Sequence, residues 1–334
     1  MDLSIVIPVL NEEGNLKELH DRLAHELSQL QVSYEIIIVD DGSTDLSLEV
    51  LREITSIDGA VKVISFRRNF GQTAAISAGF EHARGDVIIT MDADLQNDPV
   101  DIKRLLEKLN DGYDVVSGWR AKRHDGFILR RLPSLLANRL ISRMTDVHIH
   151  DFGCTLKAYR KEVVQHINLY GEMHRFIPAL ASWVGAKIGE IEVTHHPRKH
   201  GKSKYGISRT TRVILDLITV KFLMKFSTRP IQVFGTMGLI ANIVGFIILC
   251  YLTIGKLFFP AGVETGILSY LYSETRLTER MPMLMLGVLL IVIGVQFITM
   301  GLLGELIVRT YHESQKKPIY VIREIIGGEI LSDE

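Results

Sequence analysis

Short apolar runs, each followed by a polar cluster, set the rhythm of the first half of the chain. Leu3–Pro8, Glu35–Val39, Val61–Phe66, Val87–Thr90 and Asp114–Gly118 are nearly all apolar and rich in β-branched residues. That pattern predicts strands buried on both faces. Between them, Leu16, Leu19, Leu23 and Leu27 recur at helical spacing, and Thr73–Ala83 reads as a helix of small residues. Strands alternating with helices predict an α/β domain with a mainly parallel sheet covered on both faces. Further on, the pattern predicts a helix near Ser134–Met144, a helix around Arg160 and a strand over Lys187–Val193. Arg209–Phe226 sets Val213, Leu217, Val220 and Met224 on one side and Arg209, Arg212, Lys221 and Lys225 elsewhere, as in a helix lying in a membrane interface. Val233–Gly255 and Pro282–Gly304 hold no charged residue. Each is long enough to cross a hydrocarbon core of about 30 Å as a helix. A late strand is expected over Pro318–Glu324, returning to a sheet or pairing with a neighbouring subunit in a homo-oligomer.

The polar clusters recur where the strands end: Asn11-Glu12, Asp40-Asp41, Arg68-Asn69 and Asp92-Ala93-Asp94. One such cluster is a capped turn. Four at one edge of one sheet make a ligand crevice, which open α/β sheets place beyond the carboxyl ends of their strands. Asp92 and Asp94, with the amide oxygen of Gln96, offer hard oxygen ligands for Mg²⁺ or Mn²⁺. The competing role for these acids is local, and Asp98-Pro99 looks like an N-cap with proline at the first helical position. No Gly-x-Gly-x-x-Gly follows the first strand, so a nucleotide would be held by carboxylates and a metal rather than by a glycine-rich loop. Arg120, Lys122, Arg123, Arg130 and Arg131 put five basic side chains into twelve residues. Such loops are commonly just solvated, but this one leaves the crevice edge directly, which favours an anion site. His195–Tyr205 is also basic; its three histidines lack the spacing of a structural zinc site, and phosphate seeking describes it better.

Composition narrows the setting. The chain has 334 residues, is 47% hydrophobic and carries a net charge of −1, which gives no pointer to nucleic acid. Cys154 lies in the polar part and Cys250 in an apolar run, so no disulfide and a reducing compartment are expected. Met1–Ser4 leads straight into a strand, without the basic and apolar regions of a signal peptide. Lys221, Lys225 and Arg229 precede the first apolar run, and Arg309, Lys316 and Lys317 follow the second. This basic excess places the globular domain and both termini in the cytoplasm, with the chain spanning the inner (cytoplasmic) membrane twice.

Asn11-Glu12, Asp40–Ser43, Asp92–Gln96, Arg120, Asp151–Gly153 and Gly201–Tyr205 together resemble the GT-A family 2 glycosyltransferases. Within these, the match is to the polyprenyl-phosphate glycosyltransferases, relatives of dolichol-phosphate mannose synthase. The two apolar runs and the Arg309–Glu324 tail look most like the bacterial bactoprenol glucosyltransferases. The resemblance implies a catalytic domain over 1–208, an interfacial helix over 209–229, two spans within 230–308 (about 233–255 and 282–306) and a cytoplasmic tail over 309–334. It implies Pro8, Glu12, Asp40, Asp41, Asp92 and Ala93 at the nucleotide, and Asp92, Asp94 and Gln96 at the metal and diphosphate. Arg120, Arg130 or Arg131, Ser134 and Lys202 would face the lipid phosphate, with Asp94, Arg120 and Asp151 catalytic. The implied reaction is an inverting transfer of a sugar, glucose from UDP-glucose by this likeness, to undecaprenyl phosphate. The alternatives are another sugar, such as mannose or an aminoarabinose, and a membrane-tethered nucleotide-binding scaffold without catalysis. A processive polysaccharide synthase would carry a Gln-x-x-Arg-Trp motif, absent here. A phosphate monoester has its second pKa near 6, so Asp151 is expected to align the acceptor more than deprotonate it.

Overall fold

A computed structural model describes residues 1–121, 138, 141–142, 145, 147–167, 169, 173–197, 231–258, 281–314 and 319–327. The expected interfacial helix and outer loop, and Arg130, Arg131, Ser134 and Lys202, lie outside these residues. Two compact units divide the chain: Met1–Lys221 with Lys317–Glu334, and Phe222–Lys316.

The first unit is built on one eight-stranded sheet. Its strands are β1 (Leu3–Val9), β2 (Tyr34–Asp40), β3 (Val61–Phe66), β4 (Val87–Thr90), β5 (Val115–Trp119), β6 (Lys157–Arg160), β7 (Ile188–Glu192) and β8 (Ile322–Ile326). They lie in the order β7-β5-β6-β4-β1-β2-β3-β8. β1 is central, parallel to β2 on one side and to β4 on the other. Leu3, Ile5, Ile7 and Val9 share a core with the leucines of α1 (Leu16–Ser28) and with Ile102, Leu105 and Leu109 of α4 (Asp101–Asn110). Each such side chain, fully buried, contributes roughly 1.5–3 kcal/mol. On the opposite face Val6 meets α3 (Gln72–His82), where a Cβ on Gly79 would come within 2.1 Å of a Val6 methyl. α2 (Ser47–Ile57) packs Leu51 and Ile54 into the first core. Both faces of the parallel strands are thus covered, which is why they read as unbroken apolar runs.

Two elements differ from expectation. The segment around Arg160 is a strand, β6, ending at that residue, and a single helical turn over Lys161–Val164 follows. Pairing decides it: Ala158 and Tyr159 are buried opposite Ile89 and Ile88 in an antiparallel ladder. Asp98 does not cap α4 as its N-cap residue. The helix begins at Asp101, and the Asp98 carboxylate accepts the Val100 N–H at 3.1 Å and lies 2.8 Å from His196 Nε2. The late strand returns to its own sheet, antiparallel to β3. Tyr320 stacks on Phe66 at 5.0 Å and donates to Glu81, and Arg52 pairs with Glu324 at 2.6 Å.

The second unit contains α6 (Ile231–Phe258) and α7 (Met281–Ser314) in the described residues, with the short α5 (Ile177–Trp183) belonging to the first unit. Phe234–Ile254 and Met281–Gly304 are long and apolar enough to cross a membrane, with mean hydropathies of 2.3 and 2.5. The helices touch through glycines: a Cβ on Gly238 would lie 2.5 Å from the Gly294 carbonyl oxygen, and one on Gly245 2.7 Å from that of Gly287. Both pairs are separated by seven residues along each helix, so two contacts stack on one seam. Asn242 sits between them and donates to the Gly238 carbonyl at 2.9 Å. Gly245→Leu should lower thermal stability in detergent by roughly 1–3 kcal/mol through overpacking. The exposed Ile247→Leu should change nothing; equal stability of the two variants would contradict the seam.

Candidate active site at the carboxyl edge of the sheet

Loops from several strands converge at the carboxyl edge, and side-chain bonds lace them together. After β1, Asn11 takes a left-handed conformation (φ 54°), and its Oδ1 accepts the Thr44 N–H at 2.8 Å. Glu12 accepts from Asn15 Nδ2 at 2.6 Å while its own N–H goes to Ser47 Oγ at 2.9 Å. Pro8 lies just upstream, paired in register with Val39 of β2. Asp40 is buried and accepts the Ser43 N–H and the Ser65 hydroxyl, both at 3.0 Å. Asp41 accepts the N–H groups of Phe70 (2.7 Å) and Gly71 (3.0 Å), tying the β2 loop to the β3 loop. The approach is close: Gly42 has φ +70°, and a Cβ there would lie 2.5 Å from the Arg68 carbonyl carbon. Burial pushes Asp41 up to about 6 against these bonds.

The Asp92–Asp94 turn is held from three directions. Asp92 accepts from Gln72 Nε2 of α3 at 2.8 Å and from Thr155 Oγ1, at the approach to β6, at 2.7 Å. Asp94 is 7% exposed and accepts the Gln96 N–H at 3.1 Å, with Leu95 left-handed (φ 58°) and Ala93 buried between the two acids. The backbone of Gln96 accepts the His196 N–H at 2.9 Å, and its side-chain amide lies 3.5 Å from the His196 carbonyl, so Gln96 stitches the turn to the segment after β7. Burial first, then the charge of Asp94, push Asp92 up to about 6. Two carboxylates this close, with the charge of Asp94 raising the proton affinity of Asp92, fit a divalent cation, whose charge removes that repulsion. Among the described residues no trio of His, Cys, Asp or Glu side chains is grouped to hold a metal. The remaining ligands would come from water and a bound diphosphate, the habit of Mg²⁺-type sites.

Arg120 and Asp151 face each other. Arg120 follows β5, and its Nε and Nη2 donate to Asp151 Oδ2 and Oδ1 at 2.7 and 3.1 Å, a bidentate pair. Asp151 is 1% exposed on its side chain and Arg120 21%. Burial opposes the charge on Arg120, but the Asp151 carboxylate outweighs it and raises the guanidinium above its ordinary value. Asp151 Oδ1 also accepts the Gly153 N–H at 3.1 Å, closing a tight turn. Other members of the site carry no motif in the sequence. Lys157 at the start of β6 is 2% exposed, with its ammonium on the carbonyls of Phe152 (3.3 Å) and Cys154. Burial lowers its pKa. Thr73 Oγ1 lies 2.9 Å from His174 Nδ1, and Arg175 Nε donates to His174 Nε2 at 3.3 Å.

With this geometry the fold is that of the GT-A glycosyltransferases. It overlays glucosyl-3-phosphoglycerate synthase from Mycobacterium tuberculosis, solved with Mn²⁺, uridine diphosphate and phosphoglyceric acid, at a TM-score of 0.52. That overlay shows 18% identity and covers 67% of this chain and 78% of that one. Residues 4–167 match the model of Glycosyl transferase family 2. Dodecaprenyl-phosphate galacturonate synthase of Rhizobium johnstonii is 46% identical over 333 residues, 98% of this chain and 94% of that protein. Undecaprenyl-phosphate 4-deoxy-4-formamido-L-arabinose transferase of Edwardsiella ictaluri is 39% identical over 338 residues, 99% and 96% of the two chains. The chain belongs to glycosyltransferase family 2, and within it to the transferases that place a sugar on polyprenyl phosphate. Neither of these relatives bears the glucose that the likeness to bactoprenol glucosyltransferases implied.

Asp41 supplies a test of the buried edge. Its folded pKa lies above its unfolded value of 3.8, so ionisation opposes folding. The penalty is absent below pH about 4 and complete above about 7, at most about 3 kcal/mol. The melting-temperature difference between Asp41→Asn and the native protein should therefore shift in the variant's favour as pH rises from 4 to 7. A difference independent of pH would contradict the burial of this charge.

Proposed function

We propose that the protein transfers galacturonate, or a 4-substituted L-arabinose, from a uridine diphosphate sugar to a polyprenyl phosphate at the cytoplasmic face of a membrane. Likeness over nearly the full length to two transferases with polyprenyl phosphate acceptors carries this reading. Their sugars are chemically close. Galacturonic acid and L-arabinose share their configuration at C2 to C4 and differ at C5, where one bears a carboxylate and the other hydrogen. Glucose differs from both at C4.

In this reading Pro8, Glu12, Asp40 and Asp41 border the nucleoside, and Ala93 lies under the diphosphate between Asp92 and Asp94. The two acids hold Mg²⁺ or Mn²⁺, with Gln96 securing their turn. A bound cation would stabilise the negative charge that gathers on the departing diphosphate. The chain's own residues do the rest. Arg120, spread across the Asp151 carboxylate by two bonds, is fixed in direction and turns its Nη1 edge to the acceptor phosphate. Arg130 or Arg131, Ser134 and Lys202 complete the anion site. Two anions must meet for the transfer, and this basic cluster lowers their repulsion. The acceptor is largely dianionic at neutral pH, so an Asp151 already paired with Arg120 serves as an aligning group. The attacking phosphate oxygen and the leaving diphosphate lie on opposite faces of the anomeric carbon, which inverts its configuration. α6 and α7 tether the chain to the bilayer that holds the lipid.

Purified protein should release uridine diphosphate from the galacturonate or arabinose donor only when undecaprenyl phosphate is present, and at least tenfold faster than from UDP-glucose. Release without lipid, or a preference for glucose, would overturn the proposal. Asp92→Asn should lower the rate about 100-fold or more, the scale for removing charge stabilisation at a transition state. Asp151→Asn should slow transfer without removing an acid limb from the pH–rate profile. Loss of a steep acid limb in that variant would make Asp151 a true base.

A further inference from the structure

The turn carrying Asp151 is held by two side chains of opposite charge that the transfer chemistry leaves unexplained. Glu190 of β7 holds it from upstream. Its Oε1 accepts the N–H groups of His150 (2.9 Å) and Asp151 (3.1 Å), and its Oε2 lies 2.7 Å from His150 Nδ1. The His150 ring is further fixed by stacking on Trp119 at 4.3 Å. Lys157 of β6 holds the turn from downstream, with its ammonium on the carbonyl oxygens of Phe152 and Cys154. The chemistry is matched to each side. A carboxylate only accepts and an ammonium only donates, so each takes the backbone groups the other cannot. The sheet explains how they share one turn: Ser117 of β5 is in register with Lys157 on one side and Glu190 on the other. The row Lys157, Ser117, Glu190 thus crosses three strands beneath residues 150–154. A fully buried ammonium is costly to keep. Fastening a neutral turn would not require one, since backbone or hydroxyl donors would serve.

We infer that Glu190 and Lys157 are positioning residues, which clamp the backbone on both sides of Asp151 so that its carboxylate presents Arg120 to the acceptor phosphate. This rests on the reading of the Asp151–Arg120 pair given above. It extends the functional site to two strands, β6 and β7, that carry no site residue in that reading.

The test is a double-mutant cycle on the full-length protein in detergent, with undecaprenyl phosphate as acceptor. Residues that act through Asp151 lose their effect once Asp151 is gone, whereas a general loss of folding multiplies. Glu190→Gln should lower kcat tenfold or more, with the donor KM within threefold. In an Asp151→Asn background the same change should alter kcat less than twofold. Lys157→Met, of similar volume, should behave alike and decides the matter if Glu190→Gln does not fold. Leu109→Ala, a core change on α4, serves as control and should lower the melting temperature with kcat within threefold. Unchanged kcat in both clamp variants, or losses that multiply with Asp151→Asn, would overturn the inference. Full transfer by Asp151→Asn alone would instead overturn the reading of Asp151 on which it rests.

Discussion

Like charges are buried together at one edge of a sheet, and the surrounding structure is arranged to tolerate it. Asp40, Asp41, Asp94 and Asp151 are all buried, and Asp92 is recessed beside them. A carboxylate taken from water without partners costs several kcal/mol or more. Here Asp40, Asp41, Asp92 and Asp151 each meet an N–H or O–H donor drawn from another segment, and Asp94 meets one within its own turn. Asp41 binds the β3 loop, Asp92 binds α3 and the approach to β6, and Asp151 binds Arg120 beyond β5. Those four acids therefore act as ties between segments, and removing one loosens two at once.

Strand order makes this convergence possible. β1 to β4 are parallel, so their carboxyl ends share an edge. β6 is inserted antiparallel between β4 and β5, with Thr90 opposite Lys157. Its amino end is thereby delivered to the same edge, bringing Thr155, Cys154 and the Asp151 turn with it. An all-parallel sheet would send that segment to the far side.

Much of this is legible in the sequence, for definite reasons. Strands buried on both faces leave unbroken apolar runs, so β1 to β4 are visible, as are the two long apolar helices. Four polar clusters after successive strands point to the edge. What does not show is the direction of each side chain. The sequence does not reveal that the oxygens of Asp40 and Asp41 also tie loops together, or that Gln96 bonds to the segment after β7. β6 is hidden because its four residues include Lys157 and Arg160, and only pairing with Ile88 and Ile89 makes a strand of Ala158 and Tyr159. Glu190 and Lys157 are invisible because their partners are set by register across β5, not by spacing along the chain. The sugar leaves no motif at all; the full-length relatives, not any residue pattern, moved the reading from glucose toward galacturonate and arabinose.

The central claim is that the acidic edge binds a nucleoside diphosphate through a shared cation. Calorimetric titration of uridine diphosphate into the purified protein, with Mn²⁺ and then with chelator, tests it directly. The account predicts affinity at least tenfold higher with the metal, and a metal effect that disappears in Asp92→Asn. Equal affinity in chelator and in Mn²⁺ would contradict it.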